Sequence, residues 1–149
     1  MFSYFWEVSK NIKSILLVDD DSDDHLLFKD ALEAADRNVS CMTAVNGNDA
    51  LQKLESLQGN FPDIIIMDVN MPVMNGIECL RELTASHILK AIPVIMYSTS
   101  CSRECENDCI ASGAVAYMEK PSDYSLLIAQ IKHILTTGVP ATIKKPMLL

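Results

Sequence analysis

The chain has 149 residues, of which 49% are hydrophobic and 21% are charged, and this is sufficient for one domain with a buried core. Its 20 acidic and 12 basic residues give a net charge of −8, which argues against nucleic acid or an anionic membrane surface as the main partner. No apolar run is long enough to span a bilayer, and the N-terminus lacks the basic region of a secretory signal, so we expect a cytoplasmic protein.

Strand-like and helix-like segments alternate along the chain. Short apolar runs bounded by polar residues predict buried strands, and apolar residues at three- and four-residue spacing predict helices. In chain order these are a strand at 13–18, a helix around 27–35, a strand at 39–45, a helix around 50–57, a strand at 64–67, a helix around 77–83, a strand at 93–97, a polar helix ending at Gly113, a strand at 116–119 and a helix around 127–134.

Five strands that alternate with helices predict an α/β doubly wound fold, in which a five-stranded parallel sheet carries helices on both faces. The run at 64–67 is entirely apolar, as is typical of a central strand covered on both sides. We assign the domain to residues 13–135, with an N-terminal extension at 1–12 and a C-terminal tail at 136–149.

Polar residues follow four of the predicted strands. Ligands of such sheets bind beyond the carboxyl ends of the strands, so these residues are expected to share one rim. They are Asp19, Asp20 and Asp21 after the first strand, Asp68 after the third, Ser98 after the fourth and Lys120 after the fifth.

The carboxylates predict a site for a hard cation. Asp19, Asp20 and Asp68 would repel one another unless a cation were present, and an all-oxygen cluster suits Mg2+. Capping of the following helix, by Asp21 or Ser22, explains only one acidic residue. A carboxylate can also act as a nucleophile toward phosphorus, with a lysine and a hydroxyl holding the phosphoryl oxygens.

With these residues in place, the chain resembles the response-regulator receiver family of two-component signalling over about residues 13–135. The resemblance is carried by VDDD at 18–21, IIIMDVNMPVMNGIE at 64–78, PVIMYSTS at 93–100 and GAVAYMEKP at 113–121. It implies the flavodoxin-like receiver topology and a single-domain switch of the chemotaxis type. It also implies a histidine kinase or phosphotransfer protein as phosphoryl donor and an unidentified downstream protein as target.

The resemblance also implies a role for individual residues. Asp68 would be the phosphoacceptor, Ser98 the switch hydroxyl, Lys120 the site lysine and Tyr117 the aromatic switch. Mg2+ would be bound by Asp20, Asp68 and the backbone carbonyl of Asn70, and by Asp19 through water. Pro121 would follow a cis peptide bond. Such a protein catalyses only its own phosphorylation and dephosphorylation, so we do not expect an enzyme with an external substrate.

Two other functions are weaker. A phosphatase of the haloacid-dehalogenase kind needs a second aspartate two residues after the nucleophile, and Asn70 stands there. A flavodoxin-like electron carrier needs a phosphate-binding loop after the first strand, where this chain has three carboxylates.

Three of the five cysteines recur at every fourth residue, namely Cys101, Cys105 and Cys109. On a helix they would form one stripe, which could be a metal or redox site or a set of small apolar residues facing the sheet. An odd number of cysteines does not suggest a disulfide framework, and no CxxC motif supports zinc. We therefore expect the stripe to be packing.

Overall fold

The computed structural model describes residues 11–138, which form a five-stranded parallel sheet in the order β2-β1-β3-β4-β5. The predicted doubly wound, flavodoxin-like topology is therefore confirmed. The strands are β1 (Ser14–Val18), β2 (Ser40–Ala44), β3 (Ile64–Asp68), β4 (Val94–Ser98) and β5 (Ala116–Glu119). Of the predicted terminal segments, residues 1–10 and 139–149 lie outside the described residues.

A helix follows each strand. The helices are α1 (Ser22–Ala35), α2 (Gly47–Ser56), α3 (Gly76–Ala85), α4 (Arg103–Ala111) and α5 (Tyr124–Thr137). A side-chain oxygen accepts a backbone N–H of the first turn of each helix, which satisfies a donor that the helix itself leaves unpaired. The N-caps are Asp21, Asn46, Asn75, Ser102 and Asp123.

Side chains of alternate residues in each strand enter different cores. One core contains Leu16, Ile65 and Met96 and is covered by α2, α3 and α4. The other contains Ile15 and Ile66 and is covered by α1 and α5. Strands β1, β3 and β4 are buried almost throughout because helices cover both faces of the sheet.

The carboxyl ends of β1, β3, β4 and β5 meet at one rim, as predicted. Asp68 is paired with Tyr97 on β4, and Val18, the residue before Asp19, is paired with Met67 on β3. Parallel pairing at this register places the residues that follow β1 beside the end of β3.

Two expectations fail in the described residues. No peptide bond in residues 11–138 is cis, so Pro121 follows a trans bond, the isomer that X–Pro bonds favour by about 0.5–1 kcal/mol. The cysteines do not form a helical packing stripe, because α4 begins only at Arg103 and Cys101 precedes it. Cys101 and Cys105 are half-buried and joined by a disulfide, and of these three cysteines only Cys109 is buried.

Candidate functional site

Three carboxylates meet where β1 and β3 end. Asp19, Asp20 and Asp68 each offer an oxygen that lies within 4.8 Å of the others. Asp19 is fully buried, Asp68 is 8% exposed, and Asp20 is exposed. The cluster therefore has two buried members and one that faces the solvent.

The oxygens of Asp19 already have partners. Its Oδ1 accepts the backbone N–H of Asp21 at 3.0 Å, and its Oδ2 accepts a hydrogen bond from Lys120 at 2.8 Å. The ring Nε2 of His25 lies 2.7 Å from the Asp19 carbonyl oxygen and fixes the backbone there. This arrangement leaves Asp20 and Asp68 as the members of the cluster with more freedom to bind a ligand directly.

Lys120 forms ion pairs with three aspartates of the rim. Its Nζ donates to Asp19 and Asp24 at 2.8 Å each, and it lies 3.6 Å from Oδ2 of Asp68. Burial lowers the pKa of the ammonium, but the hydrogen bonds to Asp19 and Asp24 outweigh burial and leave the pKa above its usual value. Lys120 therefore stays charged throughout the physiological range.

Asp68 is an unusual carboxyl group because it lies at the buried end of the central strand. Burial raises its pKa from the ordinary 3.8 to about 6, and the charges of Asp19 and Asp20 act in the same direction. Lys120 and a weak hydrogen bond from the N–H of Asn70, at 3.4 Å, oppose this. The Asp68 anion is therefore less well stabilised than a carboxylate in water.

Ser98 ends β4, which pairs with the strand of Asp68, and Tyr117 lies on the next strand, β5. Ser98 is 1% exposed, and its hydroxyl donates to the carbonyl oxygen of Ser100 at 3.0 Å. Tyr117 is half-buried and packs against the core that α4 covers. Burial raises the pKa of its phenol to about 12, and the charge of Glu119 acts in the same direction. The two predicted switch residues are thus neighbours, and the Ser98 hydroxyl is engaged within its own loop.

A solvent-open cavity of about 450 Å³ lies at the rim. It is lined by Asp19, Asp20, Asp21, Ser22, Asp24, Asp68, Thr99 and Lys120. Five aspartates and one lysine leave a large excess of negative charge. An all-oxygen donor set with this excess fits a hard divalent cation, so the residues present suit the predicted Mg2+. Among the predicted site residues, Ser98, Asn70 and Tyr117 do not line the cavity.

Three residues near Lys120 or in the cavity were not predicted from the sequence. Asp24 accepts from Lys120, and the ammonium lies 5.2 Å from the centroid of the Tyr97 ring. Thr99 presents a second residue with a hydroxyl to the cavity. Asp24 lies in the first turn of α1, three residues after the N-cap Asp21, and that position could have indicated that it lies near the rim. No sequence signal distinguished Tyr97 from an ordinary core residue.

The sequence profile of the response regulator receiver domain matches residues 15–132. The chain belongs to the response regulator receiver family. Its solved structural relatives include the phosphorylated cyanobacterial phytochrome response regulator RcpA, which is 29% identical with a TM-score of 0.75 over 83% of this chain and 91% of that one. The Mn(2+)-bound form of the response regulator Rcp1 is 26% identical with a TM-score of 0.69, over 82% of this chain and 91% of that one.

A curated relative of this receiver domain is the protein-glutamate methylesterase/protein-glutamine glutaminase of Bacillus subtilis. It is 33% identical over an alignment 141 residues long, which covers 89% of this chain and 38% of that protein. The chain spans about a third of the length of the methylesterase relatives that it matches. The similarity therefore concerns the receiver portion. No helix in residues 11–138 is long and apolar enough to cross a membrane.

Proposed function

We propose that this receiver domain is a phosphorylation switch in which Asp68 accepts a phosphoryl group from a histidine kinase or a histidine phosphotransfer protein. The observation that carries the proposal is the place of Asp68 at the end of the central strand, within one cavity with Asp19, Asp20 and Lys120. In the transfer, the P–N bond of the donor phosphohistidine breaks as a bond forms between phosphorus and a carboxylate oxygen of Asp68.

The other residues would each stabilise part of the negative charge on the phosphoryl group. Lys120 remains protonated and lies 3.6 Å from Asp68, so it can attract a phosphoryl oxygen. Ser98 would exchange its bond to the Ser100 carbonyl for one to a phosphoryl oxygen. Asp20, Asp68 and the Asn70 carbonyl would hold Mg2+, with Asp19 acting through water; the ion would neutralise charge on the transferring group.

We propose that the output is altered partner binding and that the chain works as a single-domain regulator in the cytoplasm. Neither nucleic acid nor a membrane is proposed as partner, since the chain carries a net charge of −8. In this role it has no external substrate and catalyses only its own phosphorylation and hydrolysis. Residues 13–135 and the last two residues of α5, which ends at Thr137, would form the switch, between the extension at 1–12 and the rest of the tail predicted at 136–149.

The acceptor is tested by treating the purified chain with acetyl phosphate or beryllofluoride in the presence of Mg2+. We expect one adduct, located on Asp68 by mass spectrometry, and no adduct in Asp68→Asn. An adduct on Asp19 or Asp20 would show that the nucleophile is a different carboxylate. Phosphotransfer profiling with purified kinases of the source organism then identifies the donor.

A second candidate is the regulatory part of a larger enzyme, which the 33% identity to a methylesterase favours. An antibody against this chain distinguishes the two in extracts of the source cells. A polypeptide near 16.5 kDa supports the single-domain regulator, whereas a product about three times larger supports the enzyme.

A further inference from the structure

Three sulfur atoms cluster on the β4–α4 loop and α4, and none of the three cysteines lines the acidic cavity. The Sγ atoms of Cys101, Cys105 and Cys109 all lie within 4.8 Å of one another. Cys101 and Cys105 form a disulfide, and Cys109 is a free, fully buried thiol. The proposed phosphorylation chemistry uses none of them.

The backbone around Ser102 places Cys101 within reach of Cys105. Cys101 precedes the N-cap Ser102, whose extended backbone turns the chain off the helical path. The Cα atoms of Cys101 and Cys105 are therefore 5.5 Å apart, inside the range of about 4.4–6.8 Å that disulfides usually span. Cys109 lies one helical turn after Cys105 in α4 and is not bonded to it.

Cys109 is unsuited to thiol exchange. It is inaccessible to solvent, and burial together with the charges of Asp108 and Glu106 raises its pKa to about 11. Exchange requires an accessible thiolate, so Cys109 stays reduced while the half-buried Cys101 and Cys105 react. A buried thiol that resists ionisation is also a poor third ligand for a metal.

We propose that Cys101 and Cys105 are a reversible thiol–disulfide site that restrains the β4–α4 loop and so gives this receiver domain a redox input. The expected cytoplasmic location supports a reversible role, because disulfides in that compartment are mostly transient and regulatory. The reaction partner is a small disulfide of the glutathione class or a dithiol exchange protein.

The exchange consumes one partner disulfide and proceeds in two steps. A thiolate of the pair attacks a sulfur of the partner disulfide, and one partner thiol leaves. The second cysteine then loses its proton and attacks the mixed disulfide, so the Cys101–Cys105 bond forms as the second partner thiol leaves. The protein pair is oxidised by two electrons, and one partner disulfide is reduced to two thiols.

The Cys101–Cys105 disulfide lies close in sequence to the proposed switch residue Ser98. Only Thr99 and Ser100 separate Ser98 from Cys101, and the Ser100 carbonyl accepts the Ser98 hydroxyl at 3.0 Å. The same turn is held by the N-cap bond from the Cys105 N–H to Ser102 Oγ, at 3.0 Å. The disulfide adds a covalent restraint across it. This regulatory consequence rests on the proposed function of Asp68 and Ser98, whereas the existence of the thiol site does not.

The thiol site is tested by equilibrating the full chain in buffers of varied reduced and oxidised glutathione, followed by alkylation under denaturing conditions. We expect five alkylated cysteines in the reduced chain and three in the oxidised one. Trypsin cleaves after Arg103 and so leaves Cys101 and Cys105 in two peptides that only a disulfide joins. Cys41→Ser should keep the transition, and Cys101→Ser should abolish it.

Five alkylated cysteines at every glutathione ratio, or a transition that persists in Cys101→Ser, would overturn the site. The regulatory consequence is read from NMR shifts on adding beryllofluoride. We expect the shifts of Ser98 and Tyr117 to be lost in the oxidised chain but kept in the reduced chain and in Cys101→Ser/Cys105→Ser. Equal shifts in both redox forms would disprove the regulation. Their absence in both forms would remove the proposed function and the regulation with it, while the alkylation count still decides the thiol site.

Discussion

The Nζ of Lys120 lies 3.6 Å from Oδ2 of Asp68, close enough for charge attraction but longer than a hydrogen bond. The shorter contacts of Lys120, at 2.8 Å, go to Asp19 and Asp24. Asp68 is therefore stabilised by the lysine only in part, which agrees with its raised pKa of about 6. Positive charge brought into the cavity would stabilise the Asp68 anion further. A group that removes the negative charge of Asp68 would remove the need for that stabilisation.

Removing the carboxylate of Asp20 should weaken binding of Mg2+. Asp20→Asn is expected to lower the affinity by at least about tenfold, because it deletes a charged ligand from the cluster. Asp21→Asn is the matched control, since it removes an equal charge one residue away and keeps a side chain able to cap α1. Calorimetric titration measures both. Unchanged affinity in Asp20→Asn, or an equal loss in Asp21→Asn, would rule out Asp20 as a ligand.

The stability of the domain should depend on pH through Asp68. Its pKa is raised from 3.8 to about 6, so the folded state binds more protons and stability falls as the pH rises between these values. Without divalent cations, Asp68→Asn should be more stable than the wild type at pH 7 by roughly 1–3 kcal/mol, and by little near pH 4. Urea unfolding at the two pH values provides the measurement. An advantage that is the same at pH 4 and pH 7 would contradict it.

A methyl group at Gly76 should disturb the site. A Cβ there would meet the backbone oxygen of Asp68 and lie 2.9 Å from the Cα of Val69. Gly76→Ala should destabilise the domain by about 1–3 kcal/mol and slow the modification of Asp68 by acetyl phosphate by at least about tenfold.

Gly59→Ala is the control for Gly76→Ala. Gly59 has a φ of +94° and no atom within 4 Å of the added carbon, so its replacement strains only the backbone. It should lose some stability but keep the rate of modification. A wild-type rate in folded Gly76→Ala would show that the close approach to Asp68 is unimportant for the chemistry.

The signal is expected to leave the site through Ser98. Ser98→Ala should still accept a phosphoryl group on Asp68 but show a weakened response around Tyr117, because no hydroxyl turns toward the phosphoryl group and vacates space for the ring. Ser98→Thr keeps the hydroxyl and should keep the response. NMR shifts of α4 and β5, with and without beryllofluoride, provide the comparison. A full response in Ser98→Ala would place the route elsewhere.

The cysteine cluster should hold no metal. Elemental analysis of the purified chain is expected to find no stoichiometric zinc or iron, since two of the three sulfur atoms can be joined and the third belongs to a buried, protonated thiol. About one metal ion per chain that is lost in Cys105→Ser and kept in Cys41→Ser would contradict this.

The sequence by itself determined the order of elements and the fold class. Continuous apolar runs such as 64–67 need cover on both faces, and alternation with helices leaves a parallel sheet as the solution. The same order placed Asp19, Asp20, Asp68 and Lys120 at one rim, because the carboxyl ends of parallel strands coincide.

Only the tertiary structure decided how the rim residues share their partners. Lys120 could have been assigned to any carboxylate, and the packing of α1 and β4 selected Asp24 and Tyr97 as further neighbours. The cysteines show the same limit. Their four-residue spacing suggested one helical stripe, but the N-cap at Ser102 placed Cys101 outside α4 and within reach of Cys105. Spacing along the chain fixes which residues belong to one element, whereas side-chain contacts depend on where each element begins and on what packs against it.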